Sequence, residues 1–254
     1  MEKLITQLIE SYVLEYGQKN AIFCQWKKPI VKFASTADEE FKKLKVSVSK
    51  DHLMPKDLIE NSKTVITYFL PFDEKIAISN INGKKSSKEW SIAYIETNQL
   101  ISDLNNYLKK YLEKMGYRSN TIPATHNFNE KTLKSQWSHR HVAEISGLGT
   151  FGLNNMLITE AGCCGRIGSI VSTIELTPSK KVNEENCLYK LDGSCGICVD
   201  RCSFEALTHT GFDRKRCYEI CLINDAYHSD LGVTDVCGKC CVKVPCSFYN
   251  PRKV

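Results

Sequence analysis

Ten of the chain's thirteen cysteines, Cys187, Cys195, Cys198, Cys202, Cys217, Cys221, Cys237, Cys240, Cys241 and Cys246, stand in its last 68 residues. No other feature limits the fold so strongly. The total is odd, and the chain opens on MEKLITQLIESYVLEYG, an apolar pattern interrupted by acids that reads as an amphipathic helix and not as a secretory signal. Disulfide bonding is therefore the weaker reading and metal binding the stronger, in a cytoplasmic protein.

The spacings sharpen this. One run is C-G-I-C-V-D-R-C, Cys195 to Cys202, followed by SFEAL, a short helix by composition; the other is C-G-K-C-C-V-K-V-P-C, Cys237 to Cys246. Two-cluster ferredoxins put neighbouring cysteines of a run on one iron–sulfur cube and send the fourth to the other, so each cube draws on two distant segments. A four-sulfur zinc site from Cys195, Cys198, Cys237 and Cys240 is the alternative, and it leaves Cys187, Cys202, Cys217 and Cys246 without a role. Cys24, Cys163, Cys164, Cys221 and Cys241 read as small buried hydrophobes, with Cys241 packed near a cluster.

The rest of the chain predicts an α+β fold: a larger α/β domain over residues 1–182, its sheet flanked by helices, then a small ferredoxin-like domain over 183–254. SKTVITYFLPF (Ser62 to Phe72) reads as a buried strand ended by Pro71. Lys88 to Met115 reads as a long helix with Ile101, Leu104, Leu108, Leu112 and Met115 on one face and Gly116 as its stop. Glu130 to Ser146 reads as a further helix, followed by short β-rich segments, and TPSKKVNEEN (Thr177 to Asn186) as a linker. Net charge is +5, but residues 187–254 carry nine basic against eight acidic side chains, so the excess is thin and nothing demands nucleic acid. No apolar run reaches membrane-spanning length, and no membrane association is expected.

Between helix and strands stands GLGTFG, Gly147 to Gly152, which matches the G-x-G-x-x-G of dinucleotide loops. Those loops follow a strand and open a helix; this one follows a helix and precedes a strand, so a helix cap and a tight turn are the plain reading.

The cysteine array, FDRKRC (Phe212 to Cys217), ISGLGTFGLNNMLITEAGCCGRIGSI and MPKDLIENSKTVITYFLPF together resemble the epoxyqueuosine reductases and related corrinoid iron–sulfur enzymes. The resemblance implies two 4Fe-4S clusters, one on Cys187, Cys195, Cys198 and Cys246, the other on Cys202, Cys217, Cys237 and Cys240. Asp192 occupies the family's first cysteine position, with Cys187 as its replacement; Ser203 replaces a proline, and the gap before Cys246 is longer. The resemblance further implies a cobalamin beside the nearer cluster, approached by Gly147, Gly149, Gly152 and Asn154, since a side chain at Gly149 or Gly152 would displace the ligand. It also implies an external electron donor such as ferredoxin or flavodoxin. The chain would then be an iron–sulfur oxidoreductase passing low-potential electrons to the corrinoid; a corrinoid-reducing partner without its own substrate is the alternative. The family's catalytic aspartate has no counterpart in TIPATHNFNEK (Thr121 to Lys131), which leaves His126, Glu130, His139 and His141 as candidate proton donors. With that acid missing, and without C-terminal helical repeats, a tRNA substrate is not expected.

Overall fold

A computed structural model describes residues 1–19 and 21–253. In chain order the elements are α1 (Glu2–Gly17), β1 (Ile30–Ser35), α2 (Glu40–Ser47), α3 (Pro55–Leu58), β2 (Thr64–Pro71), α4 (Glu74–Ser79), α5 (Lys88–Lys114), β3 (Ser119–Thr121), β4 (Phe128–Asn129), β5 (Lys134–Ser135), α6 (His139–Ile145), β6 (Gly149–Phe151), β7 (Leu157–Thr159), β8 (Gly165–Ser172), α7 (Leu188–Asp192), α8 (Ile197–Asp200) and α9 (Arg214–Tyr227). Four strands form an antiparallel sheet in the order β1-β2-β8-β3. This is the mixed α/β body expected from the sequence.

Helices cover both faces of the sheet, which is why β2 is mostly apolar and buried throughout. Ile66, Tyr68 and Leu70 point to one side and join Ile5 and Ile9 of α1 and Leu100, Leu104 and Leu108 of α5. Val65 points to the other, with Phe41 of α2, Trp137 and Val142 of α6. The alternation follows from the two-residue period of a strand. Helix α5 starts where Ser87 accepts the Trp90 N–H at 3.1 Å and ends before Gly116, at φ +86°. Met115 lies beyond the last turn and is exposed, not on the buried face the spacing predicted. No helix among the described residues is long and apolar enough to cross a membrane.

Two local expectations fail. The helix predicted from Glu130 begins only at His139. The Asn129 side chain accepts the N–H groups of Lys131 and Thr132 at 3.0 Å each, and Leu133 sits at φ +53°. This local turn outcompetes the helix and folds the segment into the β4–β5 hairpin. SFEAL is likewise a turn: Glu205 lies at φ +55°, and Leu207 bridges back to Phe212.

The segment after β8 is fastened, with Ser179 N–H donating to the Phe33 carbonyl at 2.8 Å and Phe33 N–H returning to Ser179 Oγ at 3.0 Å. Beyond it, the cysteine-rich segment shares one apolar cluster with the larger part: Phe72, Ile76, Trp90, Cys163 and Cys164 pack with Cys187, Cys241 and Val242.

Candidate functional site

Cys187, Cys195, Cys198 and Cys246 line one small apolar cavity, together with Leu153, Ile158 and Val244. Cys187 precedes α7, Cys198 lies in α8, and Cys246 arrives from the C-terminal run, so three separate segments converge. Burial pushes the Cys198 thiol up to about 12, and the neighbouring Cys246, Cys187 and Cys195 add to the effect. Cys198 therefore stays protonated until a cation ionises it. Four soft sulfur donors and apolar walls suit an iron–sulfur cube.

A second, larger cavity of about 350 Å³ is lined by Cys202, Cys217, Cys237 and Cys240, and also by Cys163, Cys221 and Cys241. The step from Cys198 to Cys202 thus carries the chain from one cavity to the other. Leu207 N–H donates to Cys202 Sγ at 3.4 Å, a contact made by the turn that replaces the expected helix. Cys217 and Cys221 stand one turn apart on α9, whose N-cap Asp213 accepts the Arg216 N–H at 2.9 Å. The Cys221 thiol lowers Cys217 by hydrogen bonding, and the Arg140 and Arg214 guanidinium groups act in the same direction. Burial raises Cys237 to about 11. Cys163 lines the second cavity, and its Sγ lies 4.0 Å from Sγ of Cys246, a residue of the first. Cys24 is a buried core residue that lines neither cavity, as its type suggested. Among the described residues, no three Cys, His, Asp or Glu side chains close around a single metal ion.

The larger part of the chain holds the last cysteine run in place. Asn80 Nδ2 donates to the Cys237 carbonyl at 2.9 Å, Asn154 Nδ2 to the Cys240 carbonyl at 3.0 Å, and Cys164 Sγ to the Cys241 carbonyl at 3.0 Å. Gly238, at φ +72°, lies flat on Trp90, where a Cβ would come within 2.3 Å of the indole.

The glycine loop does something other than the space it leaves was expected to do. Gly147, at φ +84°, closes α6. A Cβ on Gly147 would meet the Lys180 carbonyl at 2.3 Å, on Gly149 the Ile158 carbonyl at 2.2 Å, and on Gly152 the Asn154 side chain at 2.7 Å. The room beside each glycine is filled by the chain itself, through the β6–β7 hairpin and the segment after β8. Gly152 and Asn154 border the first thiol cavity, and Asn154 also borders the second.

The four candidate proton donors fare differently. Glu130 is exposed on the β4–β5 turn. His139 is buried with both ring nitrogens engaged, Nδ1 by Ser169 Oγ at 2.8 Å and Nε2 by the Pro123 carbonyl at 3.0 Å; desolvation lowers its pKa to about 4. Since the Pro123 carbonyl can only accept, the neutral ring carries its proton on Nε2 and Nδ1 accepts from Ser169 Oγ, which in turn accepts from Trp137 Nε1 at 3.0 Å; His139 is a structural link. Burial likewise lowers His141 to about 4, and its Nδ1 pairs with Ser138 Oγ at 2.7 Å. Only His126 faces a carboxylate, with Nε2 3.1 Å from Asp235 Oδ2. Tyr94 OH donates to the other oxygen of Asp235 at 2.6 Å, and the Arg166 guanidinium lies 4.5 Å over the Tyr94 ring. Tyr94, Arg166 and Asp235 carry no motif, and sequence reasoning passed over them. They meet because α5, β8 and the approach to Cys237 border one space.

No protein-family model matches the chain, and no curated protein does. Solved structures do match. An epoxyqueuosine reductase with an epoxyqueuosine-modified tRNA stem loop is 18% identical with a TM-score of 0.57, and that from Streptococcus thermophilus is 16% identical with a TM-score of 0.56; both matches cover 94% of this chain. The chain shares the epoxyqueuosine reductase fold. It spans 64% and 65% of the length of those two reductases. The Bacillus subtilis reductase, 16% identical with a TM-score of 0.54, was solved with its catalytic aspartate loop swung out of the active site. The candidate loop here, residues 121–131, contains no aspartate, and Asp235 reaches it from the cysteine-rich segment.

Proposed function

We propose that the chain is an iron–sulfur reductase carrying two 4Fe-4S clusters that deliver low-potential electrons to a corrinoid. The observation that carries this reading is the sorting of thiols: Cys187, Cys195, Cys198 and Cys246 share one apolar cavity, while Cys202, Cys217, Cys237 and Cys240 share another. Fe–S cubes are held by four thiolates each, and the apolar walls keep water from the sulfurs, which sets potential.

The corrinoid would occupy the space between the sheet and the second thiol set. Two cavities there, of about 320 and 350 Å³, share Thr125, Phe128, Met156, Cys163 and Arg166 along their walls. When bound, it would supply the cobalt chemistry that reduces the substrate. The chain's own part is to keep the Cys202, Cys217, Cys237 and Cys240 thiolates against this space and to aim His126 and Tyr94 into it through Asp235. The substrate is proposed to be something other than tRNA, because the loop over this space offers His126 where the family offers an aspartate.

Anaerobic purification after iron and sulfide reconstitution tests the reading. The expected product is brown, with roughly eight irons per chain, the content of two cubes, and it binds cobalamin stoichiometrically. A colourless protein with one zinc overturns it. Two cubes without cobalamin binding point to an electron-transfer partner instead.

A further inference from the structure

The cavity of about 320 Å³ beneath the 121–131 loop is bordered by Arg140, Arg166, His126 and His139, and no Asp or Glu lines it among the described residues. Arg166 is the outlier on its wall. Its Nε is buried without a hydrogen-bond partner. Its guanidinium has no hydrogen bond or ion pair among the described residues, only the face of Tyr94 at 4.5 Å. The nearest carboxylate, Asp235, already takes the Tyr94 hydroxyl on one oxygen and faces His126 with the other. Arg140 adds a second charge and, among the described residues, has only the Asn155 carbonyl and the Met156 sulfur as partners.

A guanidinium whose Nε is buried without a partner is costly, because the lost hydration of that N–H is not replaced. An arginine fork matches an oxyanion, to which two parallel N–H groups donate. We infer that Arg166 receives the oxyanion group, carboxylate or phosphate, of the substrate. The inference rests on reading this space as the reaction chamber, but the binding event itself needs no electrons.

The test is anaerobic calorimetry of the iron-loaded protein with inorganic phosphate and with succinate, at low chloride. At least one should bind, and its identity names the group. Arg166→Gln should weaken that binding by about tenfold or more, the usual worth of a charge-assisted hydrogen bond. Arg166→Lys should retain part of it. On the wild-type protein, whose folding is not in question, the bound anion should protect Arg166 from phenylglyoxal, as mapped by peptide mass spectrometry. The inference falls if neither anion binds, if succinamide binds as well as succinate, or if Arg166 reacts equally with and without the anion. Iron is counted in the same samples: a wild-type protein without iron removes the cluster reading and leaves the anion result standing.

Discussion

Lys239 Nζ donates to the Asn80 carbonyl at 2.8 Å, and the Asn80 side chain returns a hydrogen bond to the Cys237 carbonyl at 2.9 Å. A lysine that is 2% exposed is rare unless fully paired. This one also donates to the Asn82 carbonyl at 2.7 Å, so the 237–241 turn is pinned to the end of α4 by a charge that has no ion pair among the described residues. Burial lowers its pKa, while the adjacent Cys237 pulls it back up. Lys239→Met leaves two carbonyls unsatisfied at a cost of about 2–4 kcal/mol. Anaerobic thermal unfolding should show a clear fall in Tm, and iron should leave the second thiol set before the first. Unchanged Tm would show that the turn holds itself.

The glycine hairpin predicts a contrast between two alanine variants. Gly149→Ala places a Cβ 2.2 Å from the Ile158 carbonyl and must break the β6–β7 pairing, whereas Gly116→Ala meets nothing within 4 Å and bears only the strain of φ +86°. We expect a loss of about 1 kcal/mol for Gly116→Ala and severalfold more for Gly149→Ala. Comparable unfolding midpoints for the two would refute the packing account of the loop.

Ligand sharing can be read by electron paramagnetic resonance of the reduced protein. Cys198→Ala and Cys202→Ala alter different cavities and should each leave one intact cube. Cys221→Ala and Cys241→Ala should keep both. Loss of a cube in Cys221→Ala would instead hand the α9 ligand to Cys221, one turn beyond Cys217.

His139 predicts an acid-sensitive fold. Its folded pKa is about 4 against 6.5 in the unfolded chain, so the unfolded state binds the extra proton between those values. The stability that neutral His139 contributes is complete above pH 6.5 and is lost as pH falls toward 4. The full difference is on the order of 3 kcal/mol. Midpoints of denaturant unfolding from pH 7.5 to 4.5 should fall less steeply in His139→Gln than in wild type; parallel curves would assign the acid sensitivity elsewhere, with His141 the next candidate.

Much of this protein could be read in one dimension. The largely apolar run of β2, the α5 periodicity and its Gly116 stop, and the cap at Gly147 are local or periodic signals, in which each residue's neighbours in sequence decide its conformation. Cysteine spacing pointed to metal binding, and the division of eight thiols into two sets came only from the resemblance to epoxyqueuosine reductases. The failures were also local: at 130–138 an Asn129 side-chain turn overrode helical spacing, and at 203–207 a positive φ at Glu205 ended a helix before it began. What only the tertiary structure decided is where chemistry-bearing side chains meet. Tyr94, Arg166 and Asp235 come from α5, β8 and the cysteine-rich segment, 72 and 69 positions apart along the chain, and no periodicity links them. The purpose of the glycines was equally hidden. Sequence shows that a Cβ is missing, but only packing shows that the Ile158 carbonyl stands in its place.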